Sequence, residues 1–378
     1  MSLTDEKEAG ILAELEAVRG AGRWRAVRPA GAGLCFSSND YLGLARHPAV
    51  IAAAQAAVAA HGAGATASRL MAGETSAHAG LEAALAAFLG AESALVFPSG
   101  YQGNIGLITA LAGRDSVIFS DALNHASLID GARLSRSAVQ VYAHNDVREL
   151  EARLTQTVCK GRRIVVTESV FSMDGDCAPV DEIAALVARA GAWLVVDEAH
   201  AVGVFGGGRG LCAARGAKAD VVLGTLSKTL GSQGGFVACS RVVRDLLINK
   251  ARTFIFSTGL APANAAAAEA ALGLLRDAPD MGERLLKKAA QFREALRAGG
   301  LDVPGQTQIV PVLLGEESVT MRAAEACRAR GLTVHGIRPP TVPPGQCRLR
   351  LSVSLAHTDE ELRDAASKII EAVREVTA

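Results

Sequence analysis

Two hydrophobic patterns alternate along this chain. Short, almost wholly apolar runs, each closed by a polar or glycine-containing turn, are separated by longer stretches in which apolar positions recur every three or four residues. The runs are Ala94–Phe97, Ser116–Phe119, Ile164–Thr167, Trp193–Val196, Val221–Leu223 and Phe236–Cys239. Such runs suit strands buried on both faces. The intervening segments, Leu81–Leu89 and Val180–Ala190 among them, have helical spacing. The rhythm predicts βαβ units and a mostly parallel sheet covered on both sides. Residues 5–19, with Ile11, Leu12, Leu15 and Val18, predict an N-terminal helix that packs away from the main core. Further on, helices are predicted over Ala263–Arg276 and Met281–Arg297, the second bridging to another domain. Strands at Ile309–Leu314, Thr333–Ile337 and Arg348–Val353 follow, with helices at Val319–Arg330 and Asp359–Val376. The expected architecture is α/β. A helix and arm (1–45) precede a large, mostly parallel sheet domain (46–280), and a smaller α+β domain (281–378) closes the chain.

Composition narrows the class. The chain has 378 residues, enough for both domains to bury a core of their own. Lys plus Arg equals Asp plus Glu at 39 each, which argues against nucleic acid or an anionic membrane surface as a partner. The seven cysteines are scattered and form no C-x-x-C pair, a pattern of reduced thiols in the cytoplasm, without a disulfide framework or a metal site. The opening Met1–Glu8 is polar and acidic, unlike a signal peptide, and the apolar stretch Ala49–Ala60 carries Gln55 and falls short of a membrane span.

The residues that bear chemistry follow the apolar runs. Asp197-Glu198-Ala199-His200 closes one and Gly224-Thr225-Leu226-Ser227-Lys228 closes the next. A carboxylate and a lysine at the carboxyl ends of two parallel strands face one crevice of an open α/β sheet. Thr225, Ser227, Thr229 and Ser232 add hydroxyls there, and Gly231, Gly234 and Gly235 let a ligand approach the backbone. That set points to pyridoxal phosphate, held by the lysine as a Schiff base with the acid keeping a proton on the pyridine nitrogen. Each residue also has a plainer reading: Lys228 as a solvated charge, Asp197 as a strand-end cap, His200 as a loop histidine. Together they favour the ligand.

Ser99-Gly100-Tyr101, between a strand and a helix, is a turn of the kind that binds anions at helix N-termini but that also occurs without a ligand, with Tyr101 suited to stacking on a flat ring. His125 follows another strand and could equally cap a helix. Glu168–Asp176 reads by itself only as a loop. The run Gly206–Gly210 lacks nucleotide-loop spacing and reads as a flexible surface turn.

Taken in order, these runs resemble the α-oxoamine synthases, fold-type-I pyridoxal phosphate enzymes, along nearly the whole chain. The matching stretches are Asn39–Leu44, Asp121–Leu128, Ala143–Asp146, Phe171–Asp176, Asp197–His200 and Thr225–Lys228. The resemblance implies that Lys228 carries the cofactor, Asp197 pairs with the pyridinium and His125 stacks on the ring. It puts His200 and Ser172 at the phenolic oxygen, and Thr225, Gly100 and Tyr101 on the phosphate side. It makes Arg350 the grip for the amino-acid carboxylate, Arg338, Thr341 and His125 substrate contacts, and Arg23 a further candidate. It also implies a homodimer with sites at the interface, in which Thr258 or Ser257 of a neighbour reaches the phosphate. Ile337–Pro343 is most similar to the branch that condenses L-alanine with a pimeloyl thioester, on coenzyme A or an acyl carrier protein, in biotin biosynthesis. Glycine or serine with another acyl thioester, or plain transamination, remain open alternatives. The stretch Gly64–Arg69 departs from a more glycine- and serine-rich pattern, and Ser227-Lys228-Thr229 from a glycine-flanked lysine in some members; the lysine itself is retained.

Overall fold

In the computed structural model, residues 3–27 and 33–377 are described, and the chain divides into two compact units, Met1–Gly33 and Leu34–Ala378. The first contains the predicted helix, Leu3–Gly20, after which the Arg19 guanidinium lies 4.1 Å over the Trp24 ring. Arg23 belongs to this unit.

The second unit holds twelve strands: β1 (Leu34–Cys35), β2 (Ser93–Phe97), β3 (Val117–Asp121), β4 (Ala138–Tyr142), β5 (Arg163–Glu168), β6 (Trp193–Asp197), β7 (Val221–Thr225), β8 (Gly235–Cys239), β9 (Ile309–Gly315), β10 (Leu332–Thr333), β11 (His335–Ile337) and β12 (Cys347–Ser352). Seven form one sheet in the order β2-β8-β7-β6-β5-β3-β4, with β8 antiparallel to both neighbours and the rest of the ladder parallel. Alternate residues feed opposite faces. Val165, Leu194, Val196 and Phe236 join the core shared with the C-terminal elements, while Ile164, Val166, Val195 and Val237 join a second core. Burial on both faces is why these strands read as continuous apolar runs.

Two strand expectations needed revision. β1 and β4 lie outside the expected strands: β1 is two residues long, and β4 is an edge strand with Ala138, Val139 and Val141 exposed, so its pattern is not that of a buried run. The single strand expected over Thr333–Ile337 is split at Val334. β10 pairs in parallel with β1, whereas β11 joins the antiparallel sheet β11-β12-β9. The glycine run is also more ordered than a flexible turn. Gly203 N–H donates to Gly208 O at 2.7 Å and Gly210 N–H to Phe205 O at 2.9 Å, and a Cβ at Gly210 would stand 2.6 Å from the buried Glu198 carboxylate. Among the described residues, no helix is long and apolar enough to cross a membrane.

Candidate active site

The carboxyl ends of the parallel strands converge where chain order reverses, between β3 and β5, as open α/β sheets dispose their ligand crevices. Asp197 ends β6 beside Glu168, its register partner at the end of β5. One Asp197 oxygen accepts from Asn104 Nδ2 at 2.8 Å and the other from the Ala199 N–H at 2.9 Å. Asn104 stands on the buried face of the helix Gly100–Leu111 and also donates to Ser127 Oγ at 2.7 Å. The carboxylate is thus fixed in orientation before any ligand arrives.

Lys228 sits in the turn after β7. Thr225 Oγ1 accepts from the Ser227 N–H at 3.2 Å and donates to Gly234 O at 2.9 Å. Gly231 then turns back at φ +60, where a Cβ would lie 2.3 Å from Ala45 N, so only glycine lets the lysine turn pack this closely. The Lys228 amine lies 2.7 Å from His200 Nε2. Burial, with a smaller push from Arg350 and against the pull of Asp197 and Glu168 in the other direction, lowers its pKa to about 8. Burial followed by Asp197 raises the Glu168 carboxyl to about 8.

His200 is held neutral, its pKa well below the usual value through burial and then the Lys228 and Arg350 charges. Its Nδ1 is 2.7 Å from the Tyr41 hydroxyl, which donates to Asn39 Oδ1 at 3.1 Å. A hydroxyl has one proton, so Tyr41 accepts from Nδ1–H, leaving Nε2 with a lone pair toward Lys228.

Opposite stands Arg350 on β12, buried at 8 % exposure. Its Nε donates to Ser172 O at 2.6 Å, Nη1 to Ser352 Oγ at 2.9 Å and Nη2 to Asn39 Oδ1 at 3.2 Å. Among the described residues no carboxylate forms an ion pair with it. A buried guanidinium wired only to neutral oxygens is a receptor for an anion. Lys228, His200, His125, Ser172, Arg350, Asn39, Ser37, Met173, His335 and Ile337 line one cavity of about 310 Å³.

The remaining candidates fall around this cavity or apart from it. His125 caps the helix Ala126–Ser135; its N–H donates to Glu168 at 2.6 Å, and burial lowers its pKa. Tyr101, 43 % exposed, donates to Asp130 and meets the His125 ring edge-on at 6.5 Å. Gly100 opens its helix against Thr225, since a Cβ there would lie 3.5 Å from the threonine side chain; Ser99 caps the same helix. Ser257 Oγ accepts from Gln102 Nε2 at 3.4 Å, and Thr258 beside it is exposed. Arg338 faces Glu317 at 3.7 Å and Thr341 is exposed; neither lines the cavity. Arg23 lies in the other unit.

Residues that sequence reasoning passed over are Asn104, Glu168, Tyr41, Asn39, Ser37 and His335. Two had a readable signal: Asn104 is an amide among the glycines and apolar residues of a helix face, and Glu168 closes an apolar run just as Asp197 does. The others are brought in by tertiary pairing.

The set fits pyridoxal phosphate. A partly desolvated lysine, a fixed carboxylate at a strand end, a capped helix N-terminus beside a threonine and an imidazole along one wall meet its aldehyde, ring nitrogen, phosphate and ring face in turn.

One cluster next to the cavity titrates distinctively. His144 presents Nδ1 to Asp121 and Nε2 to Asp176, each at 2.9 Å, with Phe171 edge-on at 4.3 Å. Burial lowers its pKa, but the two carboxylates outweigh that and raise it to about 10. A histidine raised above its unfolded value stabilises the fold fully below about pH 6.5 and loses that contribution as pH passes through about 10. The denaturation-midpoint gap between wild type and His144→Gln should therefore be widest just below about pH 6.5, narrow through neutrality and close above about pH 10. A gap that widens with pH would contradict the charged assignment.

The family model for aminotransferase class I and II matches residues 33–369. The chain is 47% identical to 8-amino-7-oxononanoate synthase of Geobacter sulfurreducens over 368 residues, 96% of this chain and 94% of that one. It is 50% identical to the enzyme of the same name from Mycobacterium sp. (strain JLS), covering 93% of each. Among solved structures, serine palmitoyltransferase of Sphingomonas wittichii superposes with a TM-score of 0.92 at 32% identity, covering 100% of this chain and 99% of that one.

Proposed function

From the premise that the chain belongs to the 8-amino-7-oxononanoate synthase family of class I and II aminotransferases, we infer that it condenses L-alanine with a pimeloyl thioester. A carbon–carbon bond forms, the thiol and carbon dioxide leave, and 8-amino-7-oxononanoate is released for biotin biosynthesis. Pyridoxal phosphate, when bound, supplies the electron sink that makes the alanine α-carbon nucleophilic.

The observation that carries the residue roles is the pairing of a desolvated lysine with a buried arginine lacking an anion partner across one cavity. In this reading Lys228 holds the cofactor at rest. Once freed by the amino acid, its amine takes the α-proton from alanine and later returns it. Arg350 orients the alanine carboxylate, Asp197 keeps charge at the ring nitrogen and His125 covers the ring face. His200 and Ser172 hold the phenolic side, while Gly100, Tyr101 and Thr225, with Thr258 of a second copy, serve the phosphate. Arg338, Thr341 and Arg23 are proposed contacts to the acyl substrate. The large domain, 46–280, supplies the cofactor groups and the smaller one, 281–378, the carboxylate grip; the working form is a cytoplasmic homodimer.

Asp197→Asn tests the charge at the ring nitrogen. Asparagine keeps the shape and one acceptor but no charge, so turnover should fall about a hundredfold, roughly 3 kcal/mol, with the cofactor still bound. Wild-type turnover in this variant would remove Asp197 from the role.

A further inference from the structure

The groups proposed to act on alanine come from two different sheets. Lys228 and Asp197 belong to the seven-stranded sheet and its turns, whereas Arg350 lies on β12 of the three-stranded sheet. Gripping a small substrate requires these to hold register within a fraction of an ångström. The turn Ser172–Asp176 lies between the sheets and is bonded to both sides.

Toward the small sheet, Ser172 O accepts from Arg350 Nε at 2.6 Å and Met173 O from Arg348 Nη1 at 3.3 Å, and Asp174 pairs with Arg348. Gly175 O accepts from the Gln306 N–H at 3.0 Å, and a Cβ at Gly175 would stand 2.3 Å from Ile309 O. Toward the large sheet the turn grows from the end of β5, where the Ser169 N–H donates to Asp197 O at 2.9 Å and Val170 bridges Cys177. A side-chain link to β3 runs through His144. Its two ring nitrogens join Asp176, on the turn, to Asp121, the last residue of β3. Both nitrogens face carboxylate oxygens, and a neutral imidazole has one N–H, so this geometry calls for the doubly protonated ring. Asn145 reinforces the link, its N–H donating to the second Asp121 oxygen and its Nδ2 to Asp176, each at 2.9 Å. Asn145 takes a left-handed backbone, φ 57, to do so.

We infer that His144 is a positioning residue for the amino-acid substrate: by tying Asp176 to Asp121, it fixes the Ser172–Asp176 turn, and with it Arg350, relative to Lys228 and Asp197. The inference rests on the proposed role of Arg350. If His144 is lost, the turn keeps its bonds to Arg348, Arg350 and Gln306 while its tie to β3 is reduced to Asn145, so turn and arginine gain freedom together about the root of the turn on β5. The bonds that hold Asp197 and Lys228, to Asn104, Ala199 and His200, do not pass through His144. The defect therefore falls mainly on alanine, because among the proposed cofactor contacts only Ser172 moves with the turn.

The test is calorimetric titration of the cofactor-loaded dimer with L-alanine, for wild type, His144→Gln and Asp176→Asn, beside cofactor content and the KM for pimeloyl-CoA. The glutamine variant should bind alanine roughly tenfold or more weakly. Its cofactor content should be full and its thioester KM within about twofold of wild type. Asp176→Asn, which keeps the shape and lowers only the charge, should shift alanine affinity in the same direction by a smaller factor, and it carries the test if the glutamine variant does not fold. Unchanged alanine affinity in a folded variant would overturn the inference, as would parallel loss of alanine, cofactor and thioester binding, which marks general loosening. Failure of the wild type to bind L-alanine would instead overturn the substrate assignment itself.

Discussion

Lys228→Ala is expected to lower turnover of L-alanine and a pimeloyl thioester by roughly ten-thousandfold or more, because in the proposed roles one amine would both anchor the cofactor and move the α-proton. The environment explains why this lysine can do so. With burial lowering its pKa to about 8, much more of its amine is neutral near neutral pH than in an ordinary lysine. The lone pair of His200 Nε2, 2.7 Å away, gives the ammonium a partner without adding positive charge. Borohydride treatment of the wild-type holoprotein followed by peptide mapping should place the phosphopyridoxyl label on Lys228, and the alanine variant should yield no label. A label on Lys250 would refute the assignment.

Arg350→Ala should reduce kcat/KM for L-alanine by roughly a thousandfold, about 4 kcal/mol, with most of the loss in the alanine KM and much less in that of the thioester. The guanidinium is buried and donates to Ser172, Ser352 and Asn39, all neutral acceptors, so its charge is left for a ligand to balance. Arg350→Lys should recover only part of the activity. A lysine keeps the charge but cannot hold several fixed acceptors and still present a planar fork to a carboxylate. If both variants kept wild-type alanine KM, the carboxylate grip would have to lie elsewhere.

Much of this architecture is legible in the sequence because burial on both faces leaves a plain mark. Six of the seven strands of the large sheet read as apolar runs, and the chemistry falls at their ends, where Asp197, His200 and Lys228 can be picked out by position alone. β4 escaped because an edge strand exposes Val139 and Val141 and so does not read as a buried run. The split at Val334 escaped because β10 takes its partner, β1, from nearly the other end of the chain. The same distance hides half of the cavity wall. Ser37 and Asn39 meet His335 and Arg350 only after folding, at 2.9 Å and 3.2 Å, and neither serine nor asparagine is distinctive in its local sequence. Tyr41 is similar: nothing around it signals that its hydroxyl fixes the protonation of a histidine 159 residues away. Arg338 and Thr341 show the opposite relation, distinctive in sequence yet outside the cavity lining.

The most direct test of the whole account is substrate discrimination by the purified holoenzyme. It is incubated with L-alanine, glycine or L-serine against pimeloyl-, succinyl- and palmitoyl-CoA, with kcat/KM determined for each pair and the product identified by mass. L-Alanine with pimeloyl-CoA should be preferred over every other pair by at least about tenfold, the lower end of what a single methyl or methylene difference in an apolar pocket discriminates, with 8-amino-7-oxononanoate and carbon dioxide formed in equal amounts. A preference for L-serine with palmitoyl-CoA or for glycine with succinyl-CoA would contradict the assignment.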